Sequence, residues 1–210
     1  LAVSVDTSPT DGRRAKGRRT RAQILEAAAD IASVEGLEGL TIGRLAGELG
    51  MSKSGLFAHF GSKEELQLAT IDTARGIFAR NVVAPAKEAE RGLPRLEALI
   101  AAKLAYLRRE IFTGGCFFET VRSEYDSREP GPVRDVIEAD LQQWEQLMVR
   151  AITSAKKAGH LRADVDAEQL LFEIDALSGT ASLRHQLNGD ASLYDRAEAA
   201  IAARLRAAAL

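Results

Sequence analysis

Between Gly50 and Leu66 the chain reads GMSKSGLFAHFGSKEEL. Lys53 and Lys63 supply ammonium donors, Ser52, Ser54 and Ser62 supply hydroxyls, and His59 supplies a ring that can donate or accept. Donors of these types suit phosphate oxygens and base edges. A core helix would have no need of that polar set, and a solvated helix would have no need of Leu56, Phe57 and Phe60. Upstream, RRAKGRRTR (Arg13 to Arg21) holds six basic residues in nine and no acidic one. From Gly12 to Lys63 there are nine Lys/Arg against five Asp/Glu, whereas the whole chain carries a net charge of −2. A polyanion-facing N-terminal part on a neutral or acidic body is expected from that asymmetry.

Other chemistries are poorly supplied. GELGMSKSG approaches a phosphate-binding loop, but Ser52 stands where that loop needs a glycine before Lys-Ser, and a helix precedes the turn instead of a strand. His160 and His185 have no paired carboxylate at metal-ligand spacing, so neither a metal nor a cofactor is expected. The single cysteine, Cys116, allows no internal disulfide and has no basic neighbour in sequence, which reads as an inert core thiol. No apolar run reaches the roughly 18 residues a membrane span needs. The stretch LAVSVDTSPTDG lacks the order of a secretion signal, so a cytoplasmic location with no membrane partner is expected.

Helices must position these residues. Residues 1–17, with Pro9, Gly12 and Gly17, read as a flexible basic arm. Thr20 and Gln23 would cap a helix over 20–35 with Ile24, Leu25, Ala28, Ile31 and Ala32 on one face, ended at Gly36. Thr41 caps 42–49, Gly50 ends it, and Ser52 caps a third helix to about residue 60. Ser62 and Glu65 form a capping box for a long helix over 63–83, stopped before Pro85. Further helices are expected over 94–109, 133–158, 166–188 and 190–208, with a short segment after Gly114-Gly115. The expected fold class is all-α, with roughly nine helices and no strand.

Three short helices, the last two joined by the tight turn LGMS, have the layout of a helix-turn-helix unit whose third helix enters the major groove. The run TRAQILEAAADIASVEGLEGLTIGRLAGELGMSKSGLFAHFGSKEEL resembles the DNA-binding domain of TetR/AcrR-family transcriptional regulators, most specifically in SKSGLFAHFGSKEEL. The resemblance implies a DNA-binding domain over 18–65 and a helical ligand-binding and dimerisation domain over 66–210. It implies a homodimer on a near-palindromic double-stranded operator, repression as the usual outcome, and release by a small-molecule effector. By position it assigns phosphate contacts to Thr41, Ser52 and Lys63, and recognition-helix contacts to Lys53, Ser54 and His59. Arg13, Arg14, Arg18 and Arg19 would follow the backbone or enter the minor groove. Phe57 stands where the family commonly has tyrosine; a phenyl ring donates no hydrogen bond, which leaves Phe57 between DNA contact and packing.

In the body, the family's cavity-lining helices carry Phe117, Trp144, Met148 and Phe172, taken as ligand-binding candidates beside the reading that they only fill the core. Leu170, Ile174, Leu177 and Ala181, then Leu193, Ala197, Ile201 and Leu205, form apolar stripes on the last two helices. Two such helices from each chain would build the four-helix dimer interface usual in the family. Two other classes remain open. A DNA-binding protein without an effector would show a fully packed body, and an α-helical enzyme would need a nucleophile–base pair that the sequence does not offer.

Overall fold

The computed structural model describes residues 9–210, with side chains from residue 15 onward. All its regular elements are helical: α1 (Pro9–Gly39), α2 (Ile42–Leu49), α3 (Lys53–Phe57), α4 (Lys63–Phe78), a π-helical turn (Ala79–Val83), α5 (Ala84–Ala86), α6 (Leu93–Arg108), α7 (Phe117–Tyr125), α8 (Pro132–Lys157), α9 (Ala167–Asn188) and α10 (Ser192–Ala208). One isolated antiparallel bridge, Leu161 to Ala209, is the only extended pairing among the described residues.

The flexible arm expected over 1–17 lies outside the described residues up to residue 8. From Pro9 the backbone is already helical, so α1 starts well before the expected Thr20 cap. Pro9 sits at a helix start, where its missing N–H leaves no bond unmade, and isolated glycines such as Gly12 and Gly17 each cost only about 1 kcal/mol. The break at Gly36 does occur: φ is 75° there and ψ 171°. This turn leaves the N–H groups of Leu37 and Glu38 without helical partners, and the Glu124 carboxylate on α7 accepts both, at 2.7 and 2.9 Å. A Cβ at Gly36 would fall 2.6 Å from that carboxylate, so the kink and the contact both require glycine.

Pro85 does not stop the helix it was expected to stop. The preceding turn widens to a π-helix, in which the Ala84 N–H donates to the Ala79 carbonyl. The wider turn accommodates a proline that lacks an N–H and would clash with the carbonyl four residues back.

Two cores form. The smaller holds Ile24, Leu25, Ala28, Ile31, Leu40, Leu45, Leu56, Phe60 and Leu66, drawn from α1 to the start of α4. The larger collects α6 to α10 and takes Ala29, Ala32 and Leu37 from α1 and Ile71, Ala74 and Ile77 from α4. Both α1 and α4 therefore serve two cores, and they join the head to the body. Further polar bonds fix that joint. The Asp30 carboxylate accepts from the Thr113 backbone N–H at 2.8 Å and its hydroxyl at 2.9 Å, and the Gly114 N–H donates to Ser33 Oγ at 3.0 Å. Arg75 on α4 holds Asp140 on α8 with a two-point contact at 2.6 and 3.1 Å.

Candidate nucleic-acid interface

Caps set the geometry of the head. Thr41 Oγ1 accepts from the Arg44 N–H at 3.1 Å, Ser52 Oγ from Gly55 at 3.1 Å, and Ser62 Oγ from Glu65 at 3.0 Å. The Glu65 carboxylate reaches back to the Gly61 N–H at 2.9 Å, closing the expected box one residue earlier than the cap itself. Gly50 ends α2 with φ 61°, and the Met51 N–H returns to the Ala46 carbonyl at 3.0 Å. Leu45, Ala46, Leu56 and Phe60 turn inward, which orients the opposite face of α3 to solvent.

That face carries Lys53, Ser54 and Phe57, all exposed, beside the exposed Ser52 and Thr41. The Lys53 ammonium lies 3.7 Å, and Thr41 Oγ1 3.9 Å, from the point a Cβ at Gly43 would occupy, so the start of α2 draws these two donors together. Phe57, left between DNA contact and packing by the sequence, is 55% exposed and stands outside the packed set; α3 ends at this residue and aims the ring outward. His59 lies beyond α3, half-buried, with its ring tilted against Phe60 at 6.4 Å. The expected helix to residue 60 is corrected by the turn that begins at Ala58. Arg18 and Arg19 are exposed on α1, whereas the side chains of Arg13 and Arg14 lie outside the described set. Arg44 is committed within the head, to Glu35 at 2.8 Å and Glu48 at 2.7 Å.

Lys63 has partners that no spacing rule indicates. Its ammonium donates to the Glu38 carboxylate at 2.8 Å and to the Glu38 carbonyl at 3.0 Å. Tyr125 Oη donates to the same carboxylate at 2.9 Å and Gln67 Nε2 at 3.2 Å. Lys63 first, then Tyr125 and Gln67, hold the Glu38 carboxyl well below the usual range, at about 2, against a burial effect of opposite sign.

In the body, Phe117 and Met148 are buried and Trp144 is half-buried. Phe172 is not with them. It is 69% exposed on the outer face of α9, which removes it from any interior site. The interior is an aromatic cluster with polar insertions. Phe78 meets Trp144 and Tyr106 edge-on at 5.4 Å each, and Phe117 meets Phe118 at 5.2 Å. Lys103 donates to Asp175 at 2.8 Å and lies 5.3 Å from the Trp144 ring centre. The buried Tyr106 hydroxyl has no hydrogen-bond partner among the described residues. Burial pushes the Cys116 thiol up to about 12 and raises the neighbouring Glu119 carboxyl. Two hollows of about 320 and 310 Å³ open at the surface, one along α8 and one between α6 and α10. Neither is lined by Phe117, Trp144, Met148 or Phe172.

The expected dimer residues also need correction. Leu170, Ile174, Ala181, Leu193, Ala197, Ile201 and Leu205 are buried in the chain's own core, and Leu177 packs on it half-buried. A periodic stripe reports that residues share a face, not which body covers it. The exposed apolar residues of α9 are instead Phe172, Leu183 and Leu187, along the line completed by Ala176 and Thr180. A signal for this second stripe was present, because α9 is apolar on more than one side.

Residues 24–70 match the family model described as bacterial regulatory proteins, tetR family, and residues 92–201 match that of the tetracyclin repressor-like C-terminal domain. A TetR transcriptional regulator from Chloroflexus aurantiacus is similar in structure, with TM-score 0.84 and 24% identity over 92% of this chain and 98% of that one. A TetR-family regulator from Cytophaga hutchinsonii superposes with TM-score 0.76 at 21% identity, covering 93% and 97%. AibR, whose structure was solved in complex with isovaleryl coenzyme A and operator DNA, has TM-score 0.66 at 22% identity over 86% and 96%. No curated protein sequence matches significantly.

Proposed function

Since the chain belongs to the TetR family of bacterial transcriptional regulators, we propose that it is a ligand-responsive repressor. Members of this family are DNA-binding transcription factors and not enzymes. The protein would act in the cytoplasm as a homodimer on a near-palindromic operator, with residues 18–65 as reader and 66–210 as sensor and dimerisation domain. The observation that carries this reading is the exposed face of α3, where Lys53, Ser54 and Phe57 stand clear of a core that Leu56 and Phe60 complete. Lys53 and Ser54 would read base edges, Thr41, Ser52 and Lys63 would meet phosphate, and Phe57 would make apolar contact, as with a thymine methyl. Arg18 and Arg19 would follow the backbone.

The outer stripe of α9 supports the dimer. Phe172, Leu183 and Leu187 of α9 and Ala199 and Ala203 of α10 are exposed on two helices that pack together, and two such helix pairs would form a four-helix interface. For the effector, the aromatic cluster around Trp144 and Phe78, with the unpartnered Tyr106 hydroxyl, is the site with both apolar walls and hydrogen-bonding groups. AibR supports the pairing of operator with small molecule in this fold. Ligand and operator that prefer different states weaken each other by one common factor. A second reading, a DNA-binding regulator without an effector, is favoured by one observation: Phe117 and Met148, two of the candidate lining residues, are fully buried within the packed core.

Genome-wide mapping of bound sites tests the proposal. Near-palindromic sites with half-sites about 34–36 Å apart, one helical turn, are the expected result. Occupancy without any shared sequence would overturn the repressor reading. An operator affinity unchanged at saturating concentration of a bound compound would remove that compound as effector.

A further inference from the structure

Lys63 is exposed at the start of α4, yet two of its three donor positions go to a single residue, Glu38. Glu38 is itself tied to the body. One carboxylate oxygen takes Lys63, while the other takes Tyr125 Oη of α7 and Gln67 of α4. Its backbone N–H donates to Glu124, also on α7, and Arg128 lies 3.9 Å from its carboxylate. Gly36 makes room for the Glu124 carboxylate, so this seat is built into the chain. Glu38 therefore cannot follow Lys63 toward a phosphate without breaking bonds to α7.

We infer that Glu38 is an internal competitor of DNA phosphate for Lys63, held by Glu124 and Tyr125, so that the seating of α7 on α1 sets how much positive charge the head presents. The inference rests on the DNA-binding reading above. Its energetic basis is a near balance. An exposed ion pair is worth about 0–1 kcal/mol, so Lys63 exchanges readily between a carboxylate and a phosphate oxygen. A small displacement of Glu38 is enough to change the outcome. The other end of α7 begins at Phe117 and Phe118, inside the aromatic cluster of the body. Because α7 is one short helix, a shift imposed at Phe118 is carried to Glu124 and Tyr125, about 10 Å away along its axis.

The test is a double-mutant cycle on the full chain, with Glu38→Gln, Lys63→Ala and the double variant. Affinity for a 30-base-pair duplex of arbitrary sequence (on the order of three helical turns) is measured across a range of salt concentrations. Glu38→Gln is expected to bind several-fold more tightly, with a log–log salt slope steeper by about 0.9 for each Lys63 that reaches a phosphate. Lys63→Ala is expected to weaken binding and flatten the slope only partly in the wild-type background, and to do so by the full unit and abolish the gain in the Glu38→Gln background, which separates competition for Lys63 from a general loss of negative charge. Tyr125→Phe keeps the ion pair and removes the α7 donor to the other carboxylate oxygen, leaving Gln67 there, so part of the gain is expected. Equal flattening by Lys63→Ala in both backgrounds would overturn the inference, as would wild-type affinity in Glu38→Gln. No gain in Tyr125→Phe would refute the share assigned to the body. Loss of duplex binding in the wild type and every variant would be a different result, because it would remove the DNA-binding reading itself.

Discussion

In the head, Phe60 is 1% exposed while Phe57, three residues earlier, is 55% exposed; in the body, Leu170 is fully buried while Phe172, two residues later, is 69% exposed. The two pairs look alike in composition but differ in what surrounds them. Around Phe57 the outward neighbours are Lys53, Ser54 and His59, and three side-chain caps fix where each short helix starts. Around Phe172 the adjacent positions Glu168, Gln169 and Asp175 are polar, but Ala176, Leu183 and Leu187 continue its line along a helix whose two faces differ little in hydrophobicity. In the head an exposed aromatic ring therefore stands out against a polar face. In the body it is one member of a second apolar stripe, and only the packing shows that it points away from the core.

The comparison within the head is open to the largest effect. Phe60→Ala empties a fully buried position in a core of few residues, and a loss of about 3–5 kcal/mol is expected in chemical denaturation. Phe57→Ala should stay within about 0.5 kcal/mol of the wild type in the same experiment, yet alter DNA binding. Equal losses for the two would mean that the exposed ring is packed after all, and the distinction between the two rings would collapse. The matching comparison in the body is Leu183→Glu, on the outer stripe of α9. It is expected to leave the helical content unchanged and to cost each protomer about 1.5–3 kcal/mol of burial in the dimer. Sedimentation should then report monomer at concentrations where the wild type forms the proposed dimer. A variant that sediments like the wild type would place the interface elsewhere.

The same contrast explains what could be read in the sequence. Ile24, Leu25, Ala28, Ile31 and Ala32 recur at helical spacing, and all five are buried. Thr41, Ser52, Ser62 and Gly50 mark helix ends by chemistry that acts within a few residues, and those ends fall where local reasoning puts them. Pro85 does not mark a helix end because a π-turn five residues long absorbs it, a tertiary accommodation with no local marker. The stripe through Leu170 and Ile174 faces the chain's own core, and periodicity alone cannot distinguish that core from a partner's surface. Glu38, Glu124 and Tyr125 were beyond reach for a different reason. Their bonds to the α1 kink and to Lys63 join residues 25 to 87 positions apart, and nothing in their spacing relates them.

The smallest expected effect, one of acidity, sharpens the contrast between head and body. The Glu38 carboxyl stands at about 2 in the folded head, chiefly because Lys63 donates to it, with Tyr125 and Gln67 adding to the effect. A carboxylate depressed from 4.5 contributes stability that is fully present above that value and fades as the pH falls from about 4.5 toward 2. In the body, burial raises the Glu119 carboxyl, with Lys103 and Ser182 opposing. Its contribution has the opposite sign: a raised carboxyl favours the folded state at low pH and loses that advantage as the pH rises through its folded value. Acidification from pH 6 to pH 3 should therefore loosen the joint between Glu38 and α7 while the interior around Glu119 holds. Amide hydrogen exchange can follow both. A lower protection factor, taken against the intrinsic rate at each pH, is expected at Leu37 and Glu38, whose N–H groups donate to Glu124, before any change at the centre of α7. Lys63→Ala should raise the Glu38 midpoint toward its ordinary value and remove most of that pH dependence. Protection lost at both sites together would show that the kink and the body open as one unit.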